Sequence, residues 1–232
     1  MQGFMDYKID AVIKFGGSIL AYEDMCRKTI HSITGLVENG YRVMVVPGGG
    51  PTDNTIEALD KKHPFNPDTH HRACARAQDQ TGLMISDPVW NGRLTPCETL
   101  EEVRKANDSK MAAVILPSRL IFDLDPFERT WEITSDAMSV YFSWLVGAKH
   151  TIILTNVDGV YLDGEIGVPD KLVKSITAAE LESLGHTAVD VCTPAFLNAK
   201  KMNCFVMNGF RSETILDFLN GKEVIGTLIK GV

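Results

Sequence analysis

The chain has 232 residues, 44% hydrophobic and 23% charged, with a formal net charge of −7. That is enough apolar material for one sizeable core, and the acidic balance offers no basic field for nucleic acid or an anionic membrane. No apolar run reaches bilayer-spanning length and MQGFMDYKID lacks the pattern of a signal peptide, so no membrane association and a cytoplasmic location are expected. Cys26, Cys74, Cys97, Cys192 and Cys204 lie without CxxC spacing, which favours reduced thiols. No metal-ligating set of side chains is expected, because the adjacent His70 and His71 point apart on a helix.

Strands and helices alternate along the chain. The β-branched runs 10-DAVIKF-15 and 42-RVMVVP-47 end at glycine-rich turns and read as buried parallel strands. Between them, Met25, Ile30, Ile33 and Leu36 recur at helical spacing over 24–40, with Gly40 as the natural end. Further helices are predicted over 67–86, 98–106, 135–148, 177–184 and 212–221, and a helix opens near Thr52. Further strands are predicted over 112–117, 151–156, 204–208 and 223–230. Thr177, three residues before Glu180, has capping-box spacing. This alternation argues a doubly wound α/β sheet with ligands at the strand C-terminal ends.

Three loops leave those ends with unusual sequences. In 14-KFGGS-18, Lys14 closes a buried strand, where a lysine is costly unless its ammonium reaches a polar site. Gly16 and Gly17 let backbone approach a ligand, and a following helix would offer its N-terminus to anionic oxygens. A plain turn with a snorkelling lysine is the bland alternative. In 43-VMVVPGGGPTDN-54, the triplet Gly48, Gly49 and Gly50 could cradle an anion with backbone amides; a simple turn explains one glycine better than three. In the third pair, 131-WEITSDAMSVYFSWLVGA-148 and 152-IILTNVDGVYLDG-164, Asp136 is either a helix cap or an anchor for a lysine ammonium or a hydrated Mg2+. Asp158-Gly159 suits a hairpin turn equally well.

The order and separation of KFGGS, VVPGGG, TSDAMS and ILTNVDGVY, with 205-FVMNGF-210 and 226-GTLIKG-231, resemble the amino-acid kinase family from Ala11 to Gly231. The resemblance implies an α/β fold, a three-layer αβα sandwich with a mainly parallel central sheet. It implies a single domain over 1–232, with an acceptor-binding half to about residue 130 and an ATP-binding half beyond. ATP and Mg2+ are the implied cofactors, a small molecule the implied substrate, and a homo-oligomer (a dimer or higher) the implied assembly. Lys14 and Asp136 would be catalytic, Lys14 neutralising the transferring phosphoryl group and Asp136 orienting it. Gly16, Gly17, Ser18, Thr155, Asn156, Asp158, Gly159 and Tyr161 would bind ATP, with Tyr161 near the base. Gly48, Gly49, Gly50, Asp53 and Thr134 would bind the acceptor.

Within the family, PGGG, a tryptophan (Trp131) before TSD, and NG…GTLIK resemble the kinases of methanofuran biosynthesis, which phosphorylate an aminomethylfuran phosphate. UMP kinase and isopentenyl phosphate kinase are the alternatives, as is the non-catalytic molybdate-storage type on the same fold. Pro47 and Asp53 stand where isopentenyl phosphate kinase carries histidines. One departure stands out: the second lysine of many members falls in 188-AVDVCTPAFL-197, which here offers Asp190 and Val191. Lys171 and Lys174 are the candidate replacements. Arg72 and Arg76 share a helix face with Asp79 at or beside it. They could clamp an acceptor phosphate, although a solvated face or subunit contact is favoured.

Overall fold

The computed structural model describes residues 7–232 apart from Asn91 and His186. Its strands are β1 (Ala11–Phe15), β2 (Val43–Pro47), β3 (Leu94–Cys97), β4 (Ala112–Ile115), β5 (His150–Thr155), β6 (Ser175–Thr177), β7 (Asn203–Asn208) and β8 (Thr227–Lys230). The helices are α1 (Glu23–Glu38), α2 (Gly50–Lys62), α3 (Pro67–Ile85), α4 (Leu100–Asp108), α5 (Ser118–Leu124), α6 (Ser135–Val146), α7 (Ala178–Leu184), α8 (Thr193–Lys200) and α9 (Ile215–Leu219). All eight strands form one sheet in the order β3-β4-β2-β1-β5-β7-β8-β6. Among the pairings of these eight strands only β7–β8 is antiparallel.

Strand alternation divides the core between the two faces of the sheet. Ala11, Ile13 and Phe15 of β1 join Val43 and Val45 of β2 and the apolar side of α1 on one face. Val12, Met44 and Val46 turn to the other, against Val103 of α4 and Phe142 and Leu145 of α6. A third cluster, with Val140, Ile153, Leu181, Leu197, Val206 and Ile229, fills the space beneath α6, α7 and α8. The same alternation carries Lys14 to the α6 face. It is here that the site forms.

The main strands and helices lie where the hydrophobic pattern puts them, and the Thr177–Glu180 capping box is present in both directions. The differences have local causes. The β3 strand is short and carries Pro96, which cannot donate to a ladder and is tolerated only at an edge. The expected strand over 223–230 shrinks to Thr227–Lys230 and runs antiparallel to β7. The expected helix after KFGGS is a 3₁₀ turn over Gly17–Ala21, and α1 starts only at Glu23 with Glu23 and Asp24 in its first turn. Its N-terminus therefore does not face the glycine loop with free positive charge.

His71 on α3 is buried, and burial pushes its imidazole below its usual value. A depressed folded-state pKa means that folding favours the neutral form. Its contribution to stability is present above about pH 6.5 and is lost as pH falls through the folded value. Urea unfolding of His71→Gln is expected to show a shallower loss of stability between about pH 7 and pH 5 than the parent; identical slopes would assign the acid lability elsewhere.

Candidate active site

The C-terminal ends of β1, β2, β5 and β7 lie side by side, with Lys14 paired to Ile153 and Thr155 to Asn208 in register. At this edge the Lys14 ammonium meets Asp136 of α6 at 2.8 Å, and the two residues are 9% and 7% exposed. Such burial would be prohibitive for a lone lysine and is met by the carboxylate. Of the two readings of Asp136, the helix cap belongs to Thr134, whose hydroxyl accepts the Asp136 N–H at 3.3 Å. Asp136 itself is the lysine's anchor.

The two glycine loops touch each other. A Cβ on Gly17 would lie 2.4 Å from the Gly50 nitrogen, and one on Gly48 would lie 2.8 Å from the Gly17 nitrogen. Gly50 also has φ +61°, the left-handed region where glycine is favoured. The glycines are thus required by loop-on-loop backbone packing, and Gly48 N–H is already donated to the Phe15 carbonyl at 2.9 Å. Gly49 sits under Asp53: a Cβ there would lie 2.4 Å from the Asp53 Cβ, so a larger residue at 49 collides with Asp53 before any ligand. Overpacking of this kind predicts that Gly17→Ala loses about 1–3 kcal/mol in urea unfolding. Gly35, with open space around it inside α1, is expected to gain about 0.5–1 kcal/mol on replacement by alanine. A neutral Gly17→Ala would show the seam to be loose.

Beyond the second glycine loop, no side chain caps the N-terminus of α2, which leaves first-turn amides for an anion. Asp53 lies within that turn. Its Oδ1 is buried without a partner, and burial pushes its carboxyl up. Two residues of α3 that the sequence did not single out also carry unpaired oxygens. Gln78 Oε1 and Thr81 Oγ1 are buried without partners, and the Thr81 hydroxyl lies 3.3 Å from where a Gly50 Cβ would be. Farther along the two helices, Trp131 bridges α2 and α3, stacking on His70 at 4.7 Å and donating to Asp60 at 2.8 Å. Thr134 has its hydroxyl engaged twice, donating to Asp190 at 2.8 Å as well as capping α6, which suits support of the site more than contact with an acceptor.

On the other side a cavity of about 560 Å³ is lined by Thr155, Asn156, Gly159 and Tyr161, with Leu184 and Ala188 as apolar wall. Asp158 sits between lining residues without lining the cavity itself, accepting from Asn208 at 2.9 Å and from the Tyr161 hydroxyl at 3.3 Å, with the Arg211 guanidinium at 3.6 Å. Gly159 packs against Thr227 of the GTLIK segment, whose hydroxyl accepts the Val160 N–H at 2.9 Å. The C-terminal motif therefore braces the loop that frames the cavity. Ser18 is exposed on the 3₁₀ turn.

Of the candidate replacement lysines, Lys171 pairs at 2.6 Å with Asp163, a residue of the cavity wall, and Lys174 pairs at 2.8 Å with Glu223. Arg211, next to Asn208 at the same strand edge, is the cation that sequence reasoning passed over. Its signal was only its position, three residues past the end of β7. Arg72 is paired to Asp68 at 2.9 Å and, like Arg76, lies over the Phe122 ring. Arg76 lines a separate pocket of about 340 Å³ with Asp79, which accepts from Ser118. Among the described residues no group of three or more His, Cys, Asp or Glu could hold a metal. A Mg2+ ion here fits as a companion of nucleotide phosphates, which supply most of its ligands in such sites.

Asp190 occupies the place where a second lysine was sought. It is 4% exposed and accepts hydrogen bonds from the backbone and hydroxyl of Thr134, from Ala137 N, from Cys192 N and from the backbone and hydroxyl of Thr193. Burial, then the nearby Asp136 charge, push its carboxyl up against the pull of those donors.

The sequence model of the amino acid kinase family matches residues 11–208. The chain is 30% identical to the [5-(aminomethyl)furan-3-yl]methyl phosphate kinase of Methanocaldococcus jannaschii, over 95% of this chain and 98% of the relative. It is 28% identical to the uridylate kinase of Thermotoga petrophila, over 86% of this chain and 87% of that one. Its fold matches the crystal structure of the uridylate kinase from Archaeoglobus fulgidus with a TM-score of 0.73 at 18% identity, over 95% of this chain and 100% of the other. With a buried lysine–aspartate pair between two glycine loops and a cavity beside it, the chain belongs to the amino acid kinase family and is a small-molecule kinase.

Proposed function

We propose that the protein transfers the γ-phosphoryl group of MgATP to a small phosphorylated acceptor that also carries a cationic, hydrogen-bond-donating group, the aminomethylfuran phosphate class. The buried Lys14–Asp136 pair carries the kinase half of this reading. Phosphoryl transfer asks mainly for positioning and charge neutralisation, and an ammonium fixed at the junction of both glycine loops supplies them. Thr155, Asn156, Gly159 and Tyr161 hold the nucleotide in the cavity they line, and Arg211 adds charge beside the phosphates. The N-terminal half, to about residue 130, holds the acceptor.

The unpaired oxygens support this acceptor class. Asp53 Oδ1 and Gln78 Oε1 are hydrogen-bond acceptors left without donors, a costly state unless a ligand supplies them. An ammonium does so, whereas uridylate and isopentenyl phosphate bring no cation. The relative at 30% identity bears the name of a kinase for such an amine.

The test is ADP release from MgATP against aminomethylfuran phosphate, UMP, isopentenyl phosphate, acetylglutamate and aspartate. Release with the aminomethyl compound, and a rise in its KM in Asp53→Asn, is the expected result. Release with UMP instead would overturn the acceptor assignment, and silence across the panel would overturn the proposal as a whole.

A further inference from the structure

We propose that Asp190 is a positioning residue that fixes the Asp136 carboxylate, and through it the Lys14 ammonium, for phosphoryl transfer; this rests on the kinase reading above. Asp136 is held from two sides. Its Oδ1 faces Lys14 at 2.8 Å and its Oδ2 accepts the Asp190 backbone N–H at 3.2 Å. Where that N–H points is set by the Asp190 carboxylate. Oδ2 gathers the Thr134 and Ala137 donors of the first turn of α6, while Oδ1 gathers Cys192 and Thr193 at the start of α8. One side chain thus ties two helix N-termini together and aims a backbone donor at the residue that orients the lysine.

With six donors on its two oxygens, Asp190 has no capacity left for a substrate, so it acts through Asp136. The distribution of donors also makes the carboxylate hard to replace. An asparagine would turn an NH2 group toward one of the two sets of donors, where donor meets donor. The 187–192 loop would then shift and the N–H would leave Asp136. A misplacement of that size at a reacting centre costs up to about 10²-fold in rate.

The experiment compares Asp190→Asn and Thr193→Val with Val103→Ala, a core variant in α4 outside the site. For each, ADP release gives kcat and KM, thermal unfolding gives Tm, and crystal structures of the parent and Asp190→Asn show the contacts. Asp190→Asn is expected to lose up to about 10²-fold in kcat with an unchanged KM for MgATP, and its structure to show Asp136 turned away from Lys14. Thr193→Val, which removes one of the six bonds, is expected to lose kcat by a smaller factor at the same KM. Val103→Ala is expected to lower Tm while keeping kcat.

Parent-like kcat in folded Asp190→Asn would overturn the proposal, as would a Lys14–Asp136 contact unchanged in its structure. A fall in kcat no greater than Val103→Ala shows at a comparable loss of Tm would do the same. If Asp190→Asn does not fold, Thr193→Val decides by its kcat. If the parent releases no ADP with any acceptor, the kinase reading fails, and the Asp190→Asn structure still decides whether Asp190 holds Asp136.

Discussion

Replacing Lys14 with methionine is expected to lower kcat by about 10³-fold, with a much smaller change in the KM for MgATP. The reason is geometric. The ammonium stands at the end of β1, where the glycine loops meet and the strand register brings Thr155 and Asn208 alongside. Charge that develops on the transferring phosphoryl group is met there by a cation whose position is already set by Asp136. Removing an interaction made mainly in the transition state lowers kcat and kcat/KM together and leaves ground-state binding largely intact. Steady-state kinetics with the acceptor that supports ADP release provide the check. A variant within tenfold of the parent would assign the main neutralising charge to another group, and Arg211 would be the next to test.

The second large effect is on stability, and it arises from the same pair. In Lys14→Met the Asp136 carboxylate keeps the Asp190 N–H and loses its cation while remaining buried. Breaking a buried pair from one side costs about 3–5 kcal/mol because an uncompensated charge remains. The single variants Lys14→Met and Asp136→Asn are therefore both expected to be strongly destabilised in urea unfolding. The double variant Lys14→Met/Asp136→Asn should recover much of the loss, since neither charge is left behind. All three are expected to lose about 10³-fold or more in kcat. Additive losses in the double variant would mean that solvent reaches the pair and that its burial is not what shapes its energetics.

Much of the fold was legible in the chain because its strongest signals are local. The apolar runs of β1, β2, β4, β5 and β7 report strands buried on both faces, the apolar run of α6 a largely buried helix, and the helical spacing of α1 one buried face. The edge elements were less legible. The β3 strand is four residues with a proline and β6 is three residues, too short for periodicity to register. For the candidate site, Lys14 was legible as a lysine on a buried strand, and the loops as breaks in pattern. The partners of those loops were not. That Gly17 rests on Gly50, that Thr227 braces Gly159, and that Asp190 reaches Thr134 are contacts across 33 to 68 positions. No spacing rule encodes them. Gln78 and Thr81 were hidden for a different reason: on a helix they read as ordinary polar residues, and only the buried, unpartnered oxygens Gln78 Oε1 and Thr81 Oγ1 mark them.

The seam between the glycine loops bears on how such an enzyme can change its acceptor. Where Gly17 meets Gly48 and Gly50, the contact is backbone on backbone, so no side chain there can be enlarged, shortened or recharged. Variation at the seam is closed off, while Asp53 and Gln78, the residues proposed to meet the acceptor, and Thr81 offer side chains from α2 and α3 that can be exchanged. On that proposal, chemistry and choice of acceptor are written on different residues, and a lineage can revise the second while the first stays still.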